Sequence, residues 1–232
     1  MTAIGPVPGT EREGLRYGGL VVHLDGVGRD AVVSALSAAR FSGWVGPDQT
    51  PWLVVVAATP FGPVAGSRTG IAALADRLAD RLGTLVLAVQ VIDDQVLRLF
   101  WSGPDGAGRY DSDPTVGHED DDELSDDPEG VELLTELAAA CGRPDAGEDL
   151  TELLDERIDR DSTYESERLR AALRLLGMPT WLMASASLPR DVPGGPRRRE
   201  LTRLGAGRGG VRGRVRGALV GRVRRHRRPR PS

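Results

Sequence analysis

The sequence predicts one α+β domain: a mixed sheet in the order β-α-β-α-β-β-β packed with helices, followed by a small helical segment and a disordered basic tail. Three observations lead there. Two continuous aliphatic runs, "GLVVHLDG" and "PWLVVVAAT", read as strands buried on both faces. A stretch with apolar residues at helical spacing follows each run. From Pro193 onward Gly, Pro and Arg dominate and core periodicity ends.

Residues 1–18 are rich in Gly and Pro and are expected to be disordered, so the domain should occupy 19–190. After the first strand, "RDAVVSALSAARFSG" reads as a helix with Val32, Val33, Leu36 and Ala39 on one face and Gly43 as its stop. After the second, Ile71, Leu74, Ala75, Leu78 and Leu82 mark the most regular helix of the chain, closed by Gly83. "LVLAVQVI" and "QVLRLFWS" then form a hairpin across Asp93-Asp94, and "GPDG" turns the chain into a third strand, "AGRYDS".

The composition changes abruptly at residue 111. Residues 111–136 hold twelve acids and no Arg, which predicts a solvated acidic loop over 111–130. A helical half follows over 128–177. Pro128 suits a first helical position, and Val131, Leu134, Leu137, Ala138 and Cys141 form the first apolar stripe. "DLTELLDERI" and "STYESERLRAALRLLG" supply two more helices, the second with Ser162 and Glu165 at capping-box spacing. "TWLMASASLP" is apolar enough to fold back on the domain. Residues 191–232 are assigned to the tail.

"LRLFWSGPDGAGRYDSDP", "LLTELAAACGRPDAGEDLTELLDE" and "LRAALRLLGMPTW" together resemble a group of bacterial proteins of unassigned activity. In that group a sheet hairpin ending near Asp-Ser-x-Pro precedes a small helical segment closing on Leu-Gly-x-Pro. The resemblance covers roughly residues 85–190. It implies the α+β architecture and carries no functional residue.

The net charge of −4 conceals a bipolar chain. Residues 196–232 carry fourteen Arg against Glu200, a net of +13, while residues 1–195 carry −17. All basic residues are Arg, a choice that a GC-rich genome explains as well as function does. With one cysteine, Cys141, the chain has neither a disulfide framework nor a multi-cysteine metal site. The first residues lack a charged start followed by an apolar run, and "LVVVAA" is far too short to span a bilayer. A cytoplasmic protein without a transmembrane segment is the expectation.

Catalytic motifs fail one by one. Gly26, Gly28 and Ala31 match a dinucleotide fingerprint, but Asp25 sets negative charge where phosphates would sit, and no acid closes a second strand. An Asp after the first strand also occurs in metal hydrolases of the alkaline-phosphatase type. Their ligand set cannot be assembled from His23, His118 and His226, so His23 reads as a packed or edge histidine. Gly62 and Gly66 lie where a phosphate loop would, yet the chain has no Lys to complete it. Ser67 or Thr69 is expected to cap the following helix, with Arg68 solvated. Cys141 lies on an apolar helical face, and Ser185 and Ser187 lack a nucleophile elbow. No catalytic residue, metal ligand or cofactor is assigned.

Binding is the remaining function class. The tail places Arg208, Arg212, Arg214, Arg216, Arg222, Arg224, Arg225, Arg227 and Arg228 among Gly and Val, as segments that track nucleic acid or another polyanion do. Glu119, Asp120, Asp121, Asp122, Glu123, Asp126 and Asp127 form an acidic face that suits a basic protein. The reading is a non-enzymatic adaptor or regulatory protein; the alternative is an immunity-type or partner-masking protein. The Pro/Gly stretch at 193–196 is expected to let the tail swing back onto the acids.

Overall fold

The computed structural model describes residues 14–59, 62–116, 125, 127–156 and 164–209. Strands β1 (Tyr17–His23), β2 (Gly43–Val45), β3 (Trp52–Ala57), β4 (Val86–Ile92), β5 (Val96–Gly103), β6 (Gly106–Asp111) and β7 (Thr202–Leu204) form one sheet in the order β6-β5-β4-β1-β3-β2-β7. Helices α1 (Arg29–Ala38) and α2 (Ile71–Leu82) lie in its first half, and α3 (Leu134–Ala140), α4 (Gly147–Asp155) and α5 (Glu165–Leu175) in its second.

Every strand pairing is antiparallel, which corrects the expected mixed sheet. The cause is β2, a strand that the sequence reading missed. It reverses the chain once more between α1 and β3, so β3 returns antiparallel to its neighbour β1. Gly43 is therefore a strand residue and not the helix stop. A Cβ there would lie 2.1 Å from the Val56 carbonyl and 2.5 Å from the Phe41 ring, so only glycine fits. Helix α1 ends instead through Arg40, which takes a φ of 55°. The strands β3 and β4, joined by α2, are not neighbours, because β1 lies between them.

Alternation across the sheet builds two cores. Leu20, Val22, Leu53, Val55, Val86 and Ala88 meet α1 and α2 through Leu36, Leu74 and Leu78. Val21, Val54, Leu87, Val89, Leu97 and Leu99 meet the helical half through Leu137, Leu150, Leu169 and Leu173. The continuous apolar strands are thus covered on both faces. The Asp93-Asp94 turn has φ of 54° and 59°, the doubly positive geometry of a tight hairpin.

Boundaries shift at both ends. Tyr17 and Gly18 belong to β1, so the N-terminal boundary at residue 18 falls two residues late. Residues 191–209 have defined structure that includes β7 and the turn after it, which corrects their assignment to a disordered tail. The stretch at 193–196 is no swing point. Val192 is buried, its N–H donates to the Pro196 carbonyl, and a Cβ on Gly195 would press within 2.8 Å of Trp181. Trp181 in turn donates from Nε1 to the Gln49 side chain at 2.6 Å, so 180–187 does fold back on the sheet.

The helical half also starts differently. Glu129 bridges to Asp111 of β6 and the chain enters α3 only after a 3-10 turn at Val131–Leu133, so Pro128 is not its first residue. Ser162 lies outside the described residues. Glu165 opens α5 behind Tyr164, and its side chain is buried rather than folded back as a cap.

Candidate functional site

The described part of the basic segment sits on the β7 edge, and the sequence dictates how. Leu204 is buried against α1 and α2. Arg29 of α1 donates to the Gly46 carbonyl at 2.9 Å and to the Thr202 hydroxyl at 2.8 Å, joining β7 to the end of β2. Beyond β7, Ala206 N–H donates to the Ser42 hydroxyl at 2.9 Å and Gly207 N–H to the Phe41 carbonyl at 2.7 Å. A Cβ on Gly207 would lie 2.2 Å from the Ser37 carbonyl, and its φ is 79°, so glycine is required twice over.

Arginines gather around this anchored strand. Arg203 lies over Trp44 of β2, 4.7 Å from the ring centroid, in a cation–π contact. Arg197, Arg198, Arg199 and Arg208 are exposed. Glu200 accepts from the Arg197 N–H and Asp191 from the Arg198 N–H, both backbone bonds, which does not neutralise the guanidinium groups by direct pairing. Of the expected polyanion residues only Arg208 is described; Arg212, Arg214, Arg216, Arg222, Arg224, Arg225, Arg227 and Arg228 lie outside the described residues. Arg203 was not among the expected residues, because its place beside Trp44 depends on the β2–β7 pairing.

The acidic block leaves from the opposite edge. Asp111 ends β6, and its β-bridge to Glu129 closes the base of the loop. The expectation of a uniformly solvated loop is corrected here. Asp111 and Asp113 are buried at 6% and 3% exposure. Asp111 accepts from Arg98 Nε at 2.7 Å, and Asp113 accepts from the Thr115 N–H and hydroxyl. Burial raises the Asp111 carboxyl above its ordinary pKa, and the Arg98 charge opposes that rise. Asp127 is exposed, as is Glu129, which pairs with Arg109 at 2.7 Å. Glu119, Asp120, Asp121, Asp122, Glu123 and Asp126 lie outside the described residues.

The loops weighed as catalytic are turns. Gly28 is the N-cap of α1 with an ordinary extended backbone, and Asp25 is exposed. A dinucleotide fingerprint needs a parallel βαβ unit, whereas β1 and β3 run antiparallel. Gly70, not Ser67 or Thr69, is the N-cap of α2; Thr69 turns its hydroxyl to the Gly66 carbonyl at 2.7 Å, and Arg68 is exposed as expected. His23 packs against Trp52 with ring centroids 4.6 Å apart and the planes tilted by 58°, as a packed histidine. Cys141 is buried, and desolvation pushes its thiol up to about 12, the opposite of an activated nucleophile. Among the described residues no cluster of His, Cys, Asp and Glu could hold a metal ion, and no helix is long and apolar enough to cross a membrane.

One polar cluster was missed in the sequence. Arg168 of α5 is 6% exposed and donates to the carbonyls of Leu153 and Leu154 at the end of α4, at 3.0 and 2.8 Å. It also pairs with Glu165 at 3.2 Å. The Tyr110 hydroxyl donates to Leu154 at 2.8 Å, and the Tyr17 hydroxyl donates to Ser166 at 3.0 Å. Burial raises the Glu165 carboxyl, opposed by Arg168 and the Ser112 hydroxyl, while its Oε2 accepts no bond among the described residues. The cluster is enclosed and ties α4, α5 and the sheet together. Only the i,i+3 spacing of Glu165 and Arg168 hinted at it. A groove of about 660 Å³ between α4 and α5 is open and mixes Arg143 and Arg174 with Asp149, Glu152 and Glu156.

No protein-family model, curated protein or solved structure matches the chain.

Proposed function

We propose that the chain is a non-enzymatic adaptor or regulatory protein whose arginine-rich C-terminal end contacts a polyanion, with nucleic acid as the phosphate-bearing class. One observation carries the reading: the basic segment begins as an anchored strand at the sheet edge opposite the acidic block. Six strand intervals of about 4.8 Å separate the two edges, roughly 29 Å. That exceeds three Debye lengths of about 8 Å at physiological salt, so the anchored arginines are screened from the base of the acidic loop. A polyanion approaching β7 meets Arg197, Arg198, Arg199, Arg203 and Arg208 against Glu200 and Asp191.

The same separation supports a second reading, in which a basic protein docks at the β6 edge on Asp127 and Glu129. Titrating a fluorescent 20-base-pair duplex separates the two. Full-length protein should bind it, and a variant with every arginine from 212 to 230 replaced by serine should bind much more weakly. Equal binding by the two proteins refutes the first reading and leaves the second.

A further inference from the structure

Three segments far apart in sequence meet where α1 ends. The Gly66 N–H donates to the Ala39 carbonyl at 2.8 Å, and the Ser42 N–H to the Val64 carbonyl at 3.0 Å. From the turn after β7, the Gly207 N–H donates to the Phe41 carbonyl at 2.7 Å and the Ala206 N–H to the Ser42 hydroxyl. Arg40 stands at the centre. A Cβ on Gly207 would lie 3.0 Å from its Cα, and a Cβ on Gly66 would lie 3.2 Å from both its Cβ and its Cδ. The Arg40 stem therefore lies along the turn that carries Arg68, and Arg208 directly follows Gly207. Residues 37–43, 62–70 and 204–209 hold these three arginines and neither Asp nor Glu.

The three guanidinium groups are at the surface. Arg40, Arg68 and Arg208 are exposed, and among the described residues none of their side chains makes an ion pair or a hydrogen bond. Arg77 of α2 adds a further cation, held by a neutral group: it donates to the Thr69 hydroxyl at 2.9 Å, which itself donates to the Gly66 carbonyl. Like charges repel, so gathering them opposes folding unless an anion answers them. Backbone strain collects at the same place. Six non-glycine residues have positive φ; two form the Asp93-Asp94 turn, and the other four are Arg40, Ser67, Arg68 and Ala206. Helices α2, α3 and α5 run out into Gly83, Gly142 and Gly177, at φ of 65°, 73° and 66°, whereas α1 runs out into Arg40 at 55°. Glycine would relieve the strain at Arg40 and Arg68, so the stability of the fold does not account for the two arginines.

We propose that Arg40, Arg68 and Arg208 form a cradle for nucleic-acid phosphates on the folded domain, where the end of α1, the 62–70 loop and the turn after β7 meet. A guanidinium fork donates two parallel hydrogen bonds to phosphate oxygens and keeps its charge at physiological pH. Three forks on one hydrogen-bonded backbone platform position a phosphate chain without reading its bases. The cradle rests on the polyanion reading above and extends that contact from the C-terminal end onto the body of the domain.

Duplex titrations of the full chain test it with a triple variant, Arg40→Gly, Arg68→Gly and Arg208→Gln. The glycines suit the left-handed backbone, so the variant should melt at or near the parental temperature. Its slope of log affinity against log salt for a 20-base-pair duplex should be shallower by roughly 2.7, three phosphate contacts at about 0.9 each. A control variant, Arg81→Gln, Arg109→Gln and Arg174→Gln, removes the same charge from exposed positions on α2, β6 and α5 and should keep the parental slope. An unchanged slope in the first variant, an equal drop in the control, or a collapsed melt each overturns the cradle. In all three cases the polyanion reading stands as long as the parent binds duplex. A parent that binds no duplex overturns that reading and the cradle with it.

Discussion

Replacing Arg168 with Met should strongly destabilise the helical half. The guanidinium is almost fully buried, and three partners depend on it. Leu154 keeps the Tyr110 hydroxyl, but Leu153 loses bonds at 3.2 and 3.0 Å, and Glu165 loses its ion pair. Breaking a buried pair from one side costs about 3–5 kcal/mol, because the surviving charge stays desolvated. At a urea slope of roughly 1–3 kcal/mol/M, the midpoint should drop by at least about 1 M. Adding Glu165→Gln should restore more than half of that loss, since the stranded charge is then gone.

The pH dependence supplies a second signature. Burial raises the folded-state pKa of Glu165 above its unfolded value. The native state then holds its proton more tightly, so stability is highest below the unfolded pKa and declines as pH rises through the folded one. Without Arg168 the folded pKa climbs further. The deficit of Arg168→Met should therefore be largest at neutral pH and shrink in acid. Urea midpoints at pH 4 and pH 7 measure this. A variant that unfolds like its parent, or whose deficit grows in acid, refutes the buried pair as the element joining α4 to α5.

Three further outcomes follow from the same structure. Leu78 is 2% exposed in the α2 core, so Leu78→Asp should cost several kcal/mol and yield insoluble protein or a non-cooperative melt; a parental melting curve would show that this face is not buried. Cys141, buried with its thiol raised to about 12, should resist alkylation by iodoacetamide at pH 8 in native protein and react fully in urea; rapid native labelling would contradict its burial. Because the antiparallel β1–β3 pair offers no parallel βαβ cradle, NAD, NADP, ATP and GTP should leave the melting temperature unchanged. A saturable shift with any of them would reopen the loops at Gly26–Gly28 and Gly62–Gly66 as sites.

Much of the fold was legible because its signals are local. The aliphatic runs of β1 and β3, the spacing of Leu74, Leu78 and Leu82 and the Asp93-Asp94 turn each declare one element. Sheet direction was not legible, since it hinged on β2, whose three residues begin with a glycine that marks a close backbone approach as easily as a helix end. The tail misled for a related reason. Its composition speaks for disorder, but β7 is held by Arg29 and the turn after it by Ser42 and Phe41, none of them nearby in sequence. The acidic block was read as one thing because charge density does not distinguish Asp111, which answers Arg98 across a β-ladder, from Asp127, which faces solvent. The role of Arg168 was not legible because its partners Leu153 and Leu154 belong to another helix, α4. Of the candidate site, the sign and position of the charge were readable; its seat on a sheet edge was not.

The central claim is that the basic end of the chain contacts a polyanion from the β7 edge. The measurement that tests it most directly is fluorescence anisotropy of a 20-base-pair duplex titrated with full-length protein and with protein ending at Gly209, at 50 and 150 mM salt. The account predicts full-length binding at 150 mM in the range of about 10⁻⁴ to 10⁻⁶ M, steeply tightened at 50 mM, with most of the affinity and most of the salt slope lost on truncation. Equal affinity and equal salt dependence for the two proteins would contradict it.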